Sequence, residues 1–191
     1  MGIRPEHMNQ ASHLISIAFK DKFVRYLGTI EQMTRIMKDC INPNNAITAI
    51  SPKNELMGIL GFTRNSNRLL RFNMNPFINE FGLFGGSIKY GLLKTLYKSF
   101  PTHDSQIMVD PIAVNENFRS LGIGKKLFNQ LELYSRENKI KSIALEVIDE
   151  NPKAYNLYEK IGFAPVEHHK IPQPFSSMIN VTGVTKMVKS L

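Results

Sequence analysis

Residues 118–125 read Phe-Arg-Ser-Leu-Gly-Ile-Gly-Lys and stand between a β-rich run and a run with helical periodicity. Gly122 and Gly124 allow a sharp turn and bring backbone N–H groups close to a ligand. The first N–H groups of the helix that follows have no internal partner and sit at the positive end of its dipole. Such a corner is an anion site, and phosphate is its usual guest. Lys125 and Lys126 fall in the first turn, where cations oppose the dipole at a cost of roughly 0.3–1 kcal/mol each. A bound diphosphate reverses that sign. Two other glycine-rich loops are excluded. The dinucleotide pattern needs a third glycine where this chain has Leu127, and the P-loop needs Ser or Thr where it has Lys126.

Titratable side chains come next. In a strand over 143–148, Ile143, Leu145 and Val147 point one way and Glu146 the other. A carboxylate in the middle of a central strand is costly unless it is used or paired. The alternative is a Glu paired with a surface cation or facing solvent near the strand end. Asp110, two residues before Ile112, is the rival carboxylate. Tyr158 shares a helix face with Ala154, Leu157 and Ile161, a spacing that by itself reads as core with a satisfied hydroxyl. His103, His168 and His169 carry less weight, since isolated histidines are more often structural. No His/Cys/Asp/Glu cluster has ligand spacing, so no metal is expected. The single cysteine, Cys40, builds no disulfide framework and fits a reducing compartment.

The elements that must position these residues are legible in part. Residues 3–5 read as a short first strand. A helix follows with Ala11, Leu14, Ile15, Ala18 and Phe19 on one face. Thr29 and Gln32 make a capping-box pair that starts a second helix, with Ile30, Met33, Met37 and Ile41 as its stripe. Strands are expected over 46–50 and 56–62, joined as a hairpin. Residues 64–105 are the least legible. A structureless loop of that length is unusual, so a helical insertion is expected, with a helix near 87–99 carrying Ile88, Leu92 and Leu96. Its aromatic residues either fill core or wall a substrate groove. The pattern then sharpens into a strand over 107–114, the glycine loop, a helix over 125–138, a strand over 143–148, a helix over 152–161 and two strands near 164–171 and 181–189. Pro111 inside a strand marks a bulge or an edge.

The chain has 191 residues, 42% hydrophobic and 21% charged, which suits one globular domain over 1–191. No apolar run approaches the roughly 18 residues that span a bilayer. The N-terminus has no signal-peptide core, so the chain is expected in the cytoplasm, away from membranes. Net charge is +8. The cations are scattered rather than in a tract, which argues for general surface plus a small anionic ligand over a nucleic-acid partner.

From the glycine loop onward the chain resembles the GCN5-related N-acetyltransferases. The family's loop runs Gln or Arg, two residues, Gly, one residue, Gly or Ala; here it is Arg119-Ser-Leu-Gly122-Ile-Gly124. Asn151, Ala154, Tyr158 and Gly162-Phe163 follow at the family's spacings, so the specific match covers residues 107–164. The resemblance implies an α/β (α+β) fold with a mixed, mostly antiparallel sheet. That sheet is splayed between strands 4 and 5, counting residues 3–5 as strand 1, with the insertion between strands 3 and 4. It implies acetyl-CoA as cosubstrate. Ile112, Ala113 and Val114 would offer backbone groups to the pantetheine arm. Ser120, Leu121, Gly122, Ile123, Gly124 and Lys125 would wrap the diphosphate, with Arg119 at the loop entrance. Asn151 would bond the arm, and Tyr158 would sit near the sulfur as acid. Glu146, in a Leu-Glu-Val context, is similar to the base of ribosomal-protein acetyltransferases in the family; Asp110 and ordered water are its rivals. The expected activity is acetyl transfer to a primary amine of a small molecule, peptide or protein. Homodimers are common in the family. The competing classes are a non-catalytic acyl-CoA-binding regulatory module and a basic protein associated with nucleic acid or the ribosome. The latter would need a basic or aromatic reading surface that the sequence does not reveal.

Overall fold

Two apolar runs joined by a turn at Ser51–Asn54 form the first hairpin in a computed structural model that describes residues 1–20, 27–96 and 104–191. β1 (Ala46–Ile50) pairs antiparallel with β2 (Leu56–Thr63), which pairs antiparallel with β3 (Gln106–Val114). β3 lies parallel to β4 (Ser142–Ile148). β5 (Ala164–Lys170) and β6 (Gly183–Ser190) complete a six-stranded sheet in the order β1-β2-β3-β4-β6-β5. Among the described residues every pairing but β3–β4 is antiparallel. A parallel pair needs a long crossover, and here the crossover carries a helix.

Among the described residues the helices are α1 (Met8–Ala18), α2 (Ile30–Cys40), α3 (Met74–Leu96), α4 (Ile123–Glu137), α5 (Pro152–Lys160) and α6 (Phe175–Ile179). Two cores result. On one face, Ala11 and Ile15 of α1 and Phe19 just after it meet Met33 and Met37 of α2, Phe77 and Leu93 of α3, and Ile59 of β2. On the other, Ile123, Leu127, Phe128 and Leu131 of α4 and Tyr158 of α5 meet Ile107, Val109, Ile143, Leu145 and Val147. α2 begins with the expected reciprocal cap. Thr29 Oγ1 accepts from Gln32 N–H at 3.3 Å, and Gln32 Oε1 accepts from Thr29 N–H at 2.9 Å.

Four expectations are corrected. Residues 3–5 do not form a strand: Gly2 N–H donates to the Ala46 carbonyl and Ile3 N–H to that of Pro43, after which Pro5–His7 is a 3₁₀ turn. Proline lacks the N–H that would continue a ladder. Strands 4 and 5 of the sequence reading are therefore β3 and β4, and the insertion lies between β2 and β3. Ala18 is exposed at the end of α1. The insertion helix starts thirteen residues early, at Met74, and reverses at Gly82 (φ 73°, ψ 172°). That reversal lays Gly86 on the Phe77 backbone, where a Cβ would lie 2.5 Å from the carbonyl oxygen. It sets the phase of the second half, so Tyr90 and Leu93 face the core while Ile88 is 72% exposed. Tyr97, Phe100 and His103 lie outside the described residues. α6, between β5 and β6, had no expectation behind it; its five residues are too few to show a helical period.

Candidate functional site

β3 and β4 keep their pairing over three residues only: Gln106, Ile107 and Met108 with Ser142, Ile143 and Ala144. Beyond Met108 the strands separate. β3 continues beside β2 to Val114, and β4 beside β6 to Ile148. Among the described residues Ile112–Val114 have no register partner in β4, and backbone groups at such an edge need one. A bulge lies at the same place. Leu60 pairs with Ile112 and Phe62 with Val109, so Asp110 and Pro111 together oppose Gly61. Glycine is required opposite that bulge: a Cβ on Gly61 would lie 2.6 Å from the Asp110 carbonyl and 2.3 Å from the Leu69 side chain. Pro111 thus marks a bulge, as its residue type suggested.

The corner between β3 and α4 is a row of donors. Gly122 is the N-cap of α4, left-handed at φ 72°, and no side chain caps it. Among the described residues, no protein acceptor takes the N–H groups of Ser120 through Lys125; the first bond of the helix is Lys126 N–H to the Gly122 carbonyl at 3.0 Å. Six consecutive amides at the positive end of a helix form an anion cradle. A Cβ on Gly124 would meet nothing within 4 Å. The protein itself does not demand glycine there, whereas a ligand in close approach would. Lys125 and Lys126 are exposed beside the cradle. Arg119, at the loop entrance, reaches back to the Val114 carbonyl in a long contact of 3.5 Å.

α5 meets the same end of the sheet. Asn151 is its N-cap, with Oδ1 accepting from Ala154 N–H at 3.1 Å. Seven residues on, Tyr158 is buried at 8% exposure. Its ring stands 5.8 Å from that of Phe128 at a 72° angle and 6.1 Å from that of Phe163. Burial pushes its phenol up to about 12, because a phenolate would lose its hydration there. Ile112 and Val114 pack against the same cluster.

Glu146 lies on the opposite face. Ile143, Leu145 and Val147 pack with α4 and α5, so alternation turns Ala144 and Glu146 toward the α1 side. Glu146 is exposed there, level with Lys186 of β6. Asp110 is half-buried at the start of the bulge. Met108 and Ala144 are the last register partners of β3 and β4; Asp110 and Glu146 each follow two residues on. On the α1 side, a cavity of 460 Å³ opens between Gln10, His13 and Ile17 of α1, Glu55, and Asn115 to Arg119. Sequence reading missed Gln10, His13 and Glu55, because no local signal ties α1 to the end of β3. His168 and His169 are engaged elsewhere: His168 Nε2 lies 3.1 Å from both Asp149 oxygens, and His169 Nε2 lies 3.0 Å from Glu167. Among the described residues no His/Cys/Asp/Glu group is placed to hold a metal, and no helix is long and apolar enough to cross a membrane.

Comparison with known proteins agrees with this geometry. The model of the acetyltransferase (GNAT) family matches residues 20–163. A spermine/spermidine N(1)-acetyltransferase of Bacillus subtilis (strain 168) is 28% identical over 106 residues, 50% of this chain and 60% of its own length. An uncharacterised N-acetyltransferase of the same strain is 39% identical over 59 residues, 30% of this chain and 24% of its own length. The chain therefore spans less than two thirds of either relative. The fold of an N-acetyltransferase from Staphylococcus aureus Mu50 superposes with a TM-score of 0.66 at 16% identity, over 97% of this chain and 96% of that one.

Proposed function

Because the chain belongs to the GNAT acetyltransferase family, we propose that it binds acetyl-CoA and passes the acetyl group to a primary amine by direct attack on the thioester. The observation that carries this reading is the row of six unpaired amides at the β3–α4 corner, set beside the opening between β3 and β4. Ser120, Leu121, Gly122, Ile123, Gly124 and Lys125 hold the diphosphate, with Arg119 at the entrance. Ile112, Ala113 and Val114 offer the unpartnered edge of β3 to the pantetheine amides, and Asn151 adds its side-chain amide. Acetyl-CoA supplies an acyl carbon already activated as a thioester.

The residues then divide the proton and charge work. Glu146, or Asp110 as its rival, takes the proton that the amine must lose. The Val114 N–H meets the negative charge that develops on the carbonyl oxygen as the C–N bond forms. Tyr158 Oη donates to the sulfur as the C–S bond breaks. With a phenol near 12 and a thiol near 8.5, Tyr158 stabilises the leaving thiolate by hydrogen bonding more readily than by full proton transfer; solvent completes the protonation. Acid and base on opposite sides of the opening keep the two proton events apart.

The cavity under α1 carries two carboxylates, Glu55 and Glu116, against the one guanidinium of Arg119, a balance that favours a cationic acceptor. The likeness to a spermine/spermidine acetyltransferase points the same way. The test is thiol release from acetyl-CoA with a panel of polyamines, free lysine and peptides with free N-termini. Release that depends on both the chain and an amine is expected, with polyamines ahead. Tight acetyl-CoA binding without release in any mixture would instead leave a regulatory acyl-CoA-binding module.

A further inference from the structure

The insertion builds a second pocket on residues that take no part in the proposed transfer. Arg68, Leu70, Arg71 and Phe72 follow β2, and Tyr90 and Lys94 come from the second half of α3; together they enclose a cavity of 280 Å³. Three of the six are cations and none is acidic. Among the described residues neither Arg68, Arg71 nor Lys94 forms an ion pair; Arg71 donates to the neutral side-chain oxygen of Asn67. Cations gathered without counter-charges repel one another and raise the local potential for an anion. The floor is held in place. Leu70 forms a β-bridge with Ile41, and Arg71 N–H donates to the Cys40 carbonyl at 2.8 Å. Phe72 and Tyr90 pack on the first core and also line the cavity, with Tyr90 braced on Phe77 at 5.7 Å.

From this arrangement we infer that the pocket binds single-stranded nucleic acid, seating a nucleotide with its phosphates on Arg68, Arg71 and Lys94 and its base against Phe72 and Tyr90. Cations that track phosphates beside rings that stack on bases are the two parts of such a surface. An acidic peptide would use the cations and leave the rings without a role. The net charge of +8 fits a polyanionic partner, and the basic, aromatic surface that the sequence could not reveal is present once the insertion folds.

The test is fluorescence anisotropy of a short labelled oligouridylate, titrated with the full chain at several salt concentrations, with and without saturating acetyl-CoA. Binding is expected to weaken with salt by about 0.7 logarithmic units per logarithmic unit of salt for each phosphate contact. The exposed double variant Arg71→Glu/Lys94→Glu is expected to lose at least about tenfold in affinity and to flatten that slope. Phe72→Leu, checked for an unchanged melting temperature, is expected to lose about tenfold while keeping the slope, as removal of a stacking ring should. Equal affinity in the double variant overturns the assignment. So does displacement of the oligonucleotide by acetyl-CoA, which would place the label in the cofactor cradle, or equal competition by polyglutamate, which would leave the rings idle. Because the readout is oligonucleotide binding, its failure is separate from failure of acetyl transfer.

Discussion

Tyr158 packs edge-on against Phe128 and is raised to about 12 by the same burial. Tyr158→Phe keeps the ring and deletes the donor. Turnover is expected to fall about tenfold to a hundredfold, the worth of one hydrogen bond to a charged group, with acetyl-CoA affinity nearly unchanged by calorimetry. Equal turnover would remove Tyr158 from the chemistry. The same substitution has a pH signature. A folded-state value above the ordinary 10.0 means that the stabilising difference is fully present below pH 10 and is lost as pH climbs toward about 12. The native chain should lose about 2–3 kcal/mol across that window that Tyr158→Phe does not lose, as read by urea unfolding at each pH. The carboxylates are separated by pH–rate profiles. If Glu146 is the base, Glu146→Gln abolishes the acidic limb and Asp110→Asn leaves it; the reverse outcome transfers the role. Periodicity put Tyr158 on one helix face with Ala154, Leu157 and Ile161, and Glu146 on the strand face opposite Ile143, Leu145 and Val147; Tyr158 is buried, Leu157 is exposed, and Glu146 is exposed on that opposite face. What each touches across the opening depends on β3, α4 and α1, far away in the chain.

Gly61 shows how an element is shaped for the site. Its missing side chain admits the Asp110–Pro111 bulge, past which β3 stays paired with β2 as far as Val114 while its pairing with β4 has ended at Met108. Gly61→Ala forces a methyl group into the Asp110 carbonyl and is expected to destabilise the chain by about 1–3 kcal/mol, measured by thermal unfolding. It should also weaken turnover by more than the stability loss explains. Unchanged melting and activity would mean that the bulge relaxes freely. Proline at 111 announced the bulge, and the capping box announced the start of α2, because both signals are local backbone chemistry. The phase of α3 was not legible. Its apolar count favours Ile88, yet the turn at Gly82 and the seat of Gly86 on Phe77 decide which face is buried.

Across the whole molecule the decisive feature is a parallel pair that stops after three residues, while β3 runs on toward the amide row at the β3–α4 corner. A ligand that binds there and not to the unfolded chain raises the melting temperature by mass action. Acetyl-CoA is expected to do so for the native chain. Gly122→Glu should abolish the shift, since it places a charged side chain in the cradle at a left-handed φ of 72°. A full shift in that variant would move the diphosphate elsewhere.

The loop, its helix, the strand before it and the Asn151–Tyr158 helix could be read without a structure. Each is specified by neighbours within a few residues: glycines at a corner, caps, a period of two or of 3.6. The splay of β3 from β4 was expected through the family resemblance alone; the loss of a strand at residues 3–5, the cavity under α1 and the basic pocket of the insertion were decided by tertiary structure. They arise where segments distant in sequence compete for the same backbone partners and the same buried space, and one-dimensional spacing carries no record of which segment prevails.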